Sequence, residues 1–139
     1  MRIIGFNLTK ILVEKKDEQP KGIKVNQKID IRDLKKEEIP ITKSEIIKLN
    51  FKLTFDYSDN YAKIEFEGNV LILPDRDEMK KFLDSWKSKQ LPEGSRIPLF
   101  NFIMDKCNIK ALVFEDDMGL PLHLPMPRAS INPNQNKSG

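Results

Sequence analysis

The sequence predicts an α+β fold, a four-stranded antiparallel sheet with two helices packed on one side. Three observations carry this. Apolar residues recur at every second position through the first half of the chain, the period of strands with one buried face. After Pro74 the period lengthens to that of helices, and from Gly119 onward prolines break it again. With 139 residues, 39 % apolar and 32 % charged, the chain has the size and balance of one domain around one core.

Arg2 to Val13 is the first strand. Ile4, Phe6 and Leu8 keep one parity, then Ile11 and Val13 take the other, so a bulge near Thr9 is expected and the strand should cross between two surfaces. Lys15 to Lys21, with Pro20 followed by Gly22, is turn chemistry. A second strand follows, with Ile23, Val25, Ile29 and Ile31 on one face. The mixed charge run from Asp33 to Pro40, through Lys35, Lys36, Glu37 and Glu38, reads as a solvated connection, with Ile39 and Ile41 flanking the proline.

The dominant element is the hairpin from Ile47 to Leu73. Ile47, Leu49, Phe51, Leu53, Phe55 and Tyr57 share one parity against Lys48, Asn50, Lys52, Thr54 and Asp56. Ser58, Asp59 and Asn60 turn the chain, and Ala62, Ile64, Phe66, Gly68, Val70 and Ile72 return on one parity. Pro74, which cannot donate to a ladder, ends it.

Asp75 and Glu78 have the spacing of a capping box, opening a helix to about Lys89 whose stripe is Met79, Phe82, Leu83 and Trp86. Gln90 to Pro98 is a loop. A second helix runs from about Pro98 to Met118 with Gly119 placed to stop it. Its apolar side is wide, leaving only Asn101, Asp105, Asn108 and Glu115 as a polar stripe, so it calls for cover on more than one side. Leu120 to Pro127 is extended, because Pro121, Pro125 and Pro127 forbid a helix. Residues 1–128 thus form one domain, and 129–139 have the composition of a flexible tail.

Little in this chain has the makings of catalysis. No glycine cluster joins a strand to a helix, so no phosphate cradle is expected. His123, the single histidine, stands between leucines away from any cysteine, and Cys107 reads as a buried thiol. Glu115, Asp116 and Asp117 diverge around a helix end and read as solvated carboxylates. No enzyme activity, cofactor or metal is expected. One cysteine, no secretion signal near Met1 and no membrane-length apolar run point to the cytoplasm. A net charge of +3 from interleaved charges argues only weakly for a polyanion partner. Nucleic acid fits poorly in any case, since Phe51, Phe55 and Phe66 point away from Lys48, Lys52 and Lys63.

What stands out is apolar surface in excess of what one small domain can cover, which signals self-association, an apolar ligand or a protein client. The order of elements resembles the SecB family of export chaperones. The resemblance lies in Phe6-Asn-Leu-Thr-Lys-Ile-Leu-Val-Glu, in the hairpin from Ile46 to Leu73, in the run from Ile97 to Leu112, and in Gly119-Leu-Pro-Leu-His-Leu-Pro-Met-Pro. The chain departs from that family in being basic, in carrying an extra helix at Asp75 to Lys89, and in lacking an acidic tail. The resemblance implies an ATP-independent holdase that captures unfolded polypeptides, assembled as a dimer of dimers with its long helices between sheets. It implies the export pathway less directly, and leaves partnership with a toxin–antitoxin pair open. The residues proposed to meet clients are Ile39, Ile41, Leu120, Leu122, Leu124 and Met126; those proposed for the oligomer interface are Leu99, Phe102, Ile103 and Leu112. The competing reading is a non-catalytic adaptor or structural subunit of an oligomeric complex.

Overall fold

The computed structural model describes residues 1–127 and Ala129; the tail expected at 129–139 otherwise lies outside the described residues. Strands β1 (Arg2–Lys15), β2 (Val25–Glu38), β3 (Glu45–Tyr57) and β4 (Ala62–Leu73) form one antiparallel sheet in the spatial order β1-β4-β3-β2. β2, β3 and β4 are joined by tight turns, and β1 lies beyond β4, which is a Greek-key arrangement with β1 and β2 at the edges. Helices α1 (Arg76–Trp86) and α2 (Arg96–Met118) follow.

The parity of the hairpin decides the face. Ile47, Leu49, Phe51, Leu53 and Phe55 of β3 and Ile64, Phe66, Val70 and Ile72 of β4 are buried in one core with Phe82 of α1 and Leu99, Ile103, Cys107 and Ala111 of α2. Both helices therefore cover the same side. The opposite parity, Lys48, Asn50, Lys52, Thr54 and Asp56, makes a polar outer face.

Two expectations about the strands change. The charge run Asp33 to Glu38 is part of β2, not a connection: Leu34 pairs with Leu49 and Glu37 with Ile46. An edge strand leaves its side chains largely in water, so charges there cost little and blunt the edge. In β1 the irregularity after Leu8 falls at Thr9, whose hydroxyl donates to the Glu67 carbonyl at 3.2 Å. The inserted residue keeps β1 on one face instead of moving it across: Phe6, Leu8, Ile11 and Val13 pair with Val70, Gly68, Phe66 and Ile64.

The helix starts lie within two residues of those expected, whereas α1 ends at Trp86, three residues before Lys89. Asp75 accepts from the Glu78 backbone N–H at 2.8 Å while Glu78 accepts from the Asp75 N–H at 3.0 Å, the reciprocal capping box. Gly119 ends α2 at φ 65°, a left-handed conformation that glycine adopts without steric cost.

Candidate functional site

The row Leu99, Ile103, Cys107, Ala111 and Glu115 steps along α2 at intervals of four, and all five are buried. At 3.6 residues per turn each step advances the row by about 40° beyond a full turn, so over the 23-residue helix the buried side winds far round the axis. This winding accounts for the wide apolar side. Much of it is spent within the chain: Leu99 and Ile103, proposed for an oligomer interface, are fully buried against the chain's own sheet. Phe102 is half-buried and lies edge-on to Phe6, with ring centroids 5.9 Å apart, and Leu112 is half-buried. The large apolar side chains of α2 that face outward are instead Ile97, Ile109 and Val113, with Ile109 68 % exposed.

Glu115 is the departure with most consequence. Read as a solvated carboxylate, it is fully buried at the end of this row. It accepts from the Tyr57 hydroxyl, from the His123 backbone N–H at 3.1 Å, and from His123 Nδ1 at 2.7 Å. His123 Nε2 lies 3.0 Å from Asn108 Oδ1, and the ring packs on Phe55 with centroids 4.6 Å apart. Burial, and then the carboxylate it donates to, push the Tyr57 phenol far above its ordinary value, so it acts only as a donor. A buried carboxylate is tolerable only when its lone pairs are occupied, and three donors from two other segments achieve that.

The chemical effect of this network is to fasten the segment after α2. The Leu120 N–H reaches the Glu115 carbonyl at 2.8 Å and its side chain joins the core. The segment is not extended throughout as expected: it bends at His123 and Leu124, where the His123 ring turns inward to Glu115. Of the residues proposed to meet clients, Leu122 and Leu124 are 40 % and 39 % exposed and Met126 is half-exposed, whereas Leu120 is core packing. Ile39 and Ile41 are elsewhere, in the loop between β2 and β3, at the opposite end of β3 from Phe55 and Tyr57. Ile41 is 94 % exposed and Ile39 half-buried, so the structure does not unite them with the proline segment.

Cys107 is buried as expected. Burial pushes its thiol up to about 11, with the Lys110 charge only partly opposing, so it is no nucleophile near neutral pH.

On the outer face Glu65 is buried beneath lysines that approach from three strands. Lys52 Nζ lies 3.1 Å, Lys10 Nζ 3.2 Å and Lys63 Nζ 3.7 Å from its carboxylate oxygens. Burial pushes the Glu65 carboxyl up, but hydrogen bonds and charge from Lys52 and Lys10 outweigh it and hold the group below its ordinary value.

No family model matches the chain, and no curated protein matches it. Among solved structures it is similar to the SecB-like chaperone Rv1957 of Mycobacterium tuberculosis in complex with a ChAD peptide from the HigA1 antitoxin. The two share 13 % identity over 94 % of this chain and 91 % of that one, with a TM-score of 0.47.

Proposed function

We propose that this protein is an ATP-independent holdase that binds unfolded or non-native polypeptides through exposed apolar surface. The observation that carries this reading is the exposure of Leu122, Leu124 and Met126 on either side of His123, which is anchored on Glu115. Apolar side chains are normally buried by the chain's own packing. Here a buried polar network holds them in water, which suits a surface meant to be covered by something else. Full burial of such a side chain from complete exposure is worth about 1.5–3 kcal/mol, and with each of the three already more than half or just half covered the gross gain is roughly 2–4 kcal/mol before ordering costs. That supports weak, sequence-tolerant binding by this segment, in the millimolar range unless several copies act together.

The proposal includes self-association through the outer face of α2, as a dimer of dimers, with the cytoplasm as the place of action. The competing reading, a non-catalytic adaptor, is favoured by Ile109 and Val113, one turn apart on a rigid helix, a spacing that fits one folded partner.

The test is suppression of aggregation of an unrelated denatured protein, without nucleotide and with chelator. Suppression should be equal at low and physiological salt, because apolar burial is little screened whereas phosphate-type binding falls steeply. Replacing both Leu122→Ser and Leu124→Ser should weaken client binding about tenfold with the melting temperature nearly unchanged. A double variant that melts the fold would make the two leucines ordinary packing, and binding that collapses with salt would remove the holdase reading.

A further inference from the structure

Between the free edge of β2 and the connection from α1 to α2 lies a cleft of about 430 Å³. Ile29 and Ile31 of β2 form one wall, Trp86 at the end of α1 and Phe100 of α2 the other, and all four are half-buried. Lys89 and Arg96 also line it. Lys89 Nζ lies 5.0 Å from the Trp86 ring centroid, and the Arg96 guanidinium 5.3 Å from that of Phe100. Neither cation has a carboxylate partner among the described residues. Asp30, the acidic residue of the lining, is 3.8 Å from Lys28. The cleft thus combines apolar side chains with a largely polar lining in which two cations stand against one carboxylate.

Two further features bear on what would fill it. β2 pairs only with β3, so the backbone of Ile29 to Ile31 has its outer side free to pair with an extended chain. Lys89 sits at φ 57°, where a glycine would be at ease, and the helix end there is closed by the Gln90 N–H on the Ser85 carbonyl at 3.2 Å. A lysine in that conformation places its ammonium over the indole at the cleft wall.

We infer that this cleft binds an extended polypeptide segment in which an apolar side chain is followed two residues later by a carboxylate, so that both point to one face. The apolar side chain enters between Trp86 and Phe100, the carboxylate meets Lys89 and Arg96, and the main chain runs along β2. Cations resting on aromatic faces are held weakly when exposed, so they can turn to a carboxylate when one arrives. This inference rests on the polypeptide-binding reading and names the class of segment it would prefer.

Trp86 is the only tryptophan, so its fluorescence reports the cleft directly. The probes are two blocked hexapeptides, Thr-Leu-Val-Asp-Val-Thr and the same peptide with Asn for Asp. Both should shift Trp86 emission saturably, the acidic one about fivefold tighter at low salt, the magnitude set by partly exposed ion pairs. The paired replacement Lys89→Gln and Arg96→Gln should bring the two peptides to equal affinity. Equal affinity for both peptides in the wild type would overturn the inference, and so would a silent Trp86. Tighter binding of decanoate that displaces the peptides would overturn it in favour of a small carboxylate. A silent Trp86 in a protein that still suppresses aggregation through Leu122 and Leu124 would leave the holdase reading intact. Acid-selective binding in a protein that suppresses no aggregation would uphold the cleft and defeat the holdase.

Discussion

Glu115 accepts hydrogen bonds from a strand and from the segment after its own helix, so removing its charge leaves three donors underserved. Glu115→Gln should lower stability by about 1–3 kcal/mol, and His123→Ala by a similar amount, because a buried group stripped of its partner bears its desolvation cost alone. The double variant should cost clearly less than the sum in denaturant titration, since both changes break one network. Additive losses would show that the two side chains are not coupled. Glu65 gives a prediction in pH. Its folded value is held below the unfolded one, so its contribution is full above the ordinary carboxylate value of about 4.3 and is lost as pH falls through the lower folded value. Glu65→Gln should therefore be less stable than wild type near neutrality by about 1.5–3 kcal/mol, the range for hydrogen bonds to charged groups. The two melting curves should converge in acid, and a gap that stays constant with pH would contradict the assignment.

At the scale of elements, the joint between β1 and β4 depends on a missing side chain. A Cβ at Gly68 would sit 2.3 Å from the Asn7 carbonyl oxygen and 3.1 Å from Leu8 Cα, both backbone atoms that cannot turn aside. Gly68→Ala should therefore pull β1 away from its partner just before the Thr9 bulge. The expected loss is about 1–3 kcal/mol, with hydrogen exchange quickening first in β1 and less in β2 and β3. Uniform quickening across the sheet would mean that β1 does not open as a unit. The same register explains why parity alone misjudged β1. A single inserted residue reverses parity while leaving the face unchanged, and only the pairing with β4 reveals which has happened.

At the scale of the whole molecule, the sheet separates two unlike surfaces. One is buried under both helices, and the other is an array of lysines around Glu65, polar enough to stand in water unaided. Apolar surface is exposed mainly at the margins and on the back of α2. If that back closes an oligomer, light scattering should give a native mass above that of one chain, and Ile109→Glu with Val113→Glu should reduce it to the monomer. Both positions are exposed, so the melting temperature of the monomer itself should change little. A wild type that is monomeric at micromolar concentration would leave the face to a different partner, as the adaptor reading requires.

The sequence by itself determined the parity of β3 and β4, the turn at Ser58 to Asn60, the capping box, the stop at Gly119 and the side of the sheet that the helices cover. These depend on local periods and on residues with narrow conformational preferences, so they are written within a few positions of where they act. Pro121, Pro125 and Pro127 likewise marked the stretch that lies outside helix and strand, where Leu122, Leu124 and Met126 are exposed. What only the tertiary structure decided was the fate of polar and charged residues. Glu115 shares a helical row with Leu99 and Ala111, and that spacing was a signal for burial, but a carboxylate on an apolar row is acceptable only if donors reach it. Tyr57 is brought there by the sheet and His123 by the segment after Gly119, from positions far apart in the sequence. Glu65 is likewise set by cross-strand register, which places Lys10 and Lys52 around it. The charged end of β2 depended on finding β3 beside it. Local period tells which face a residue takes, whereas long-range pairing tells what it meets there, and for a charge the second determines whether burial is possible.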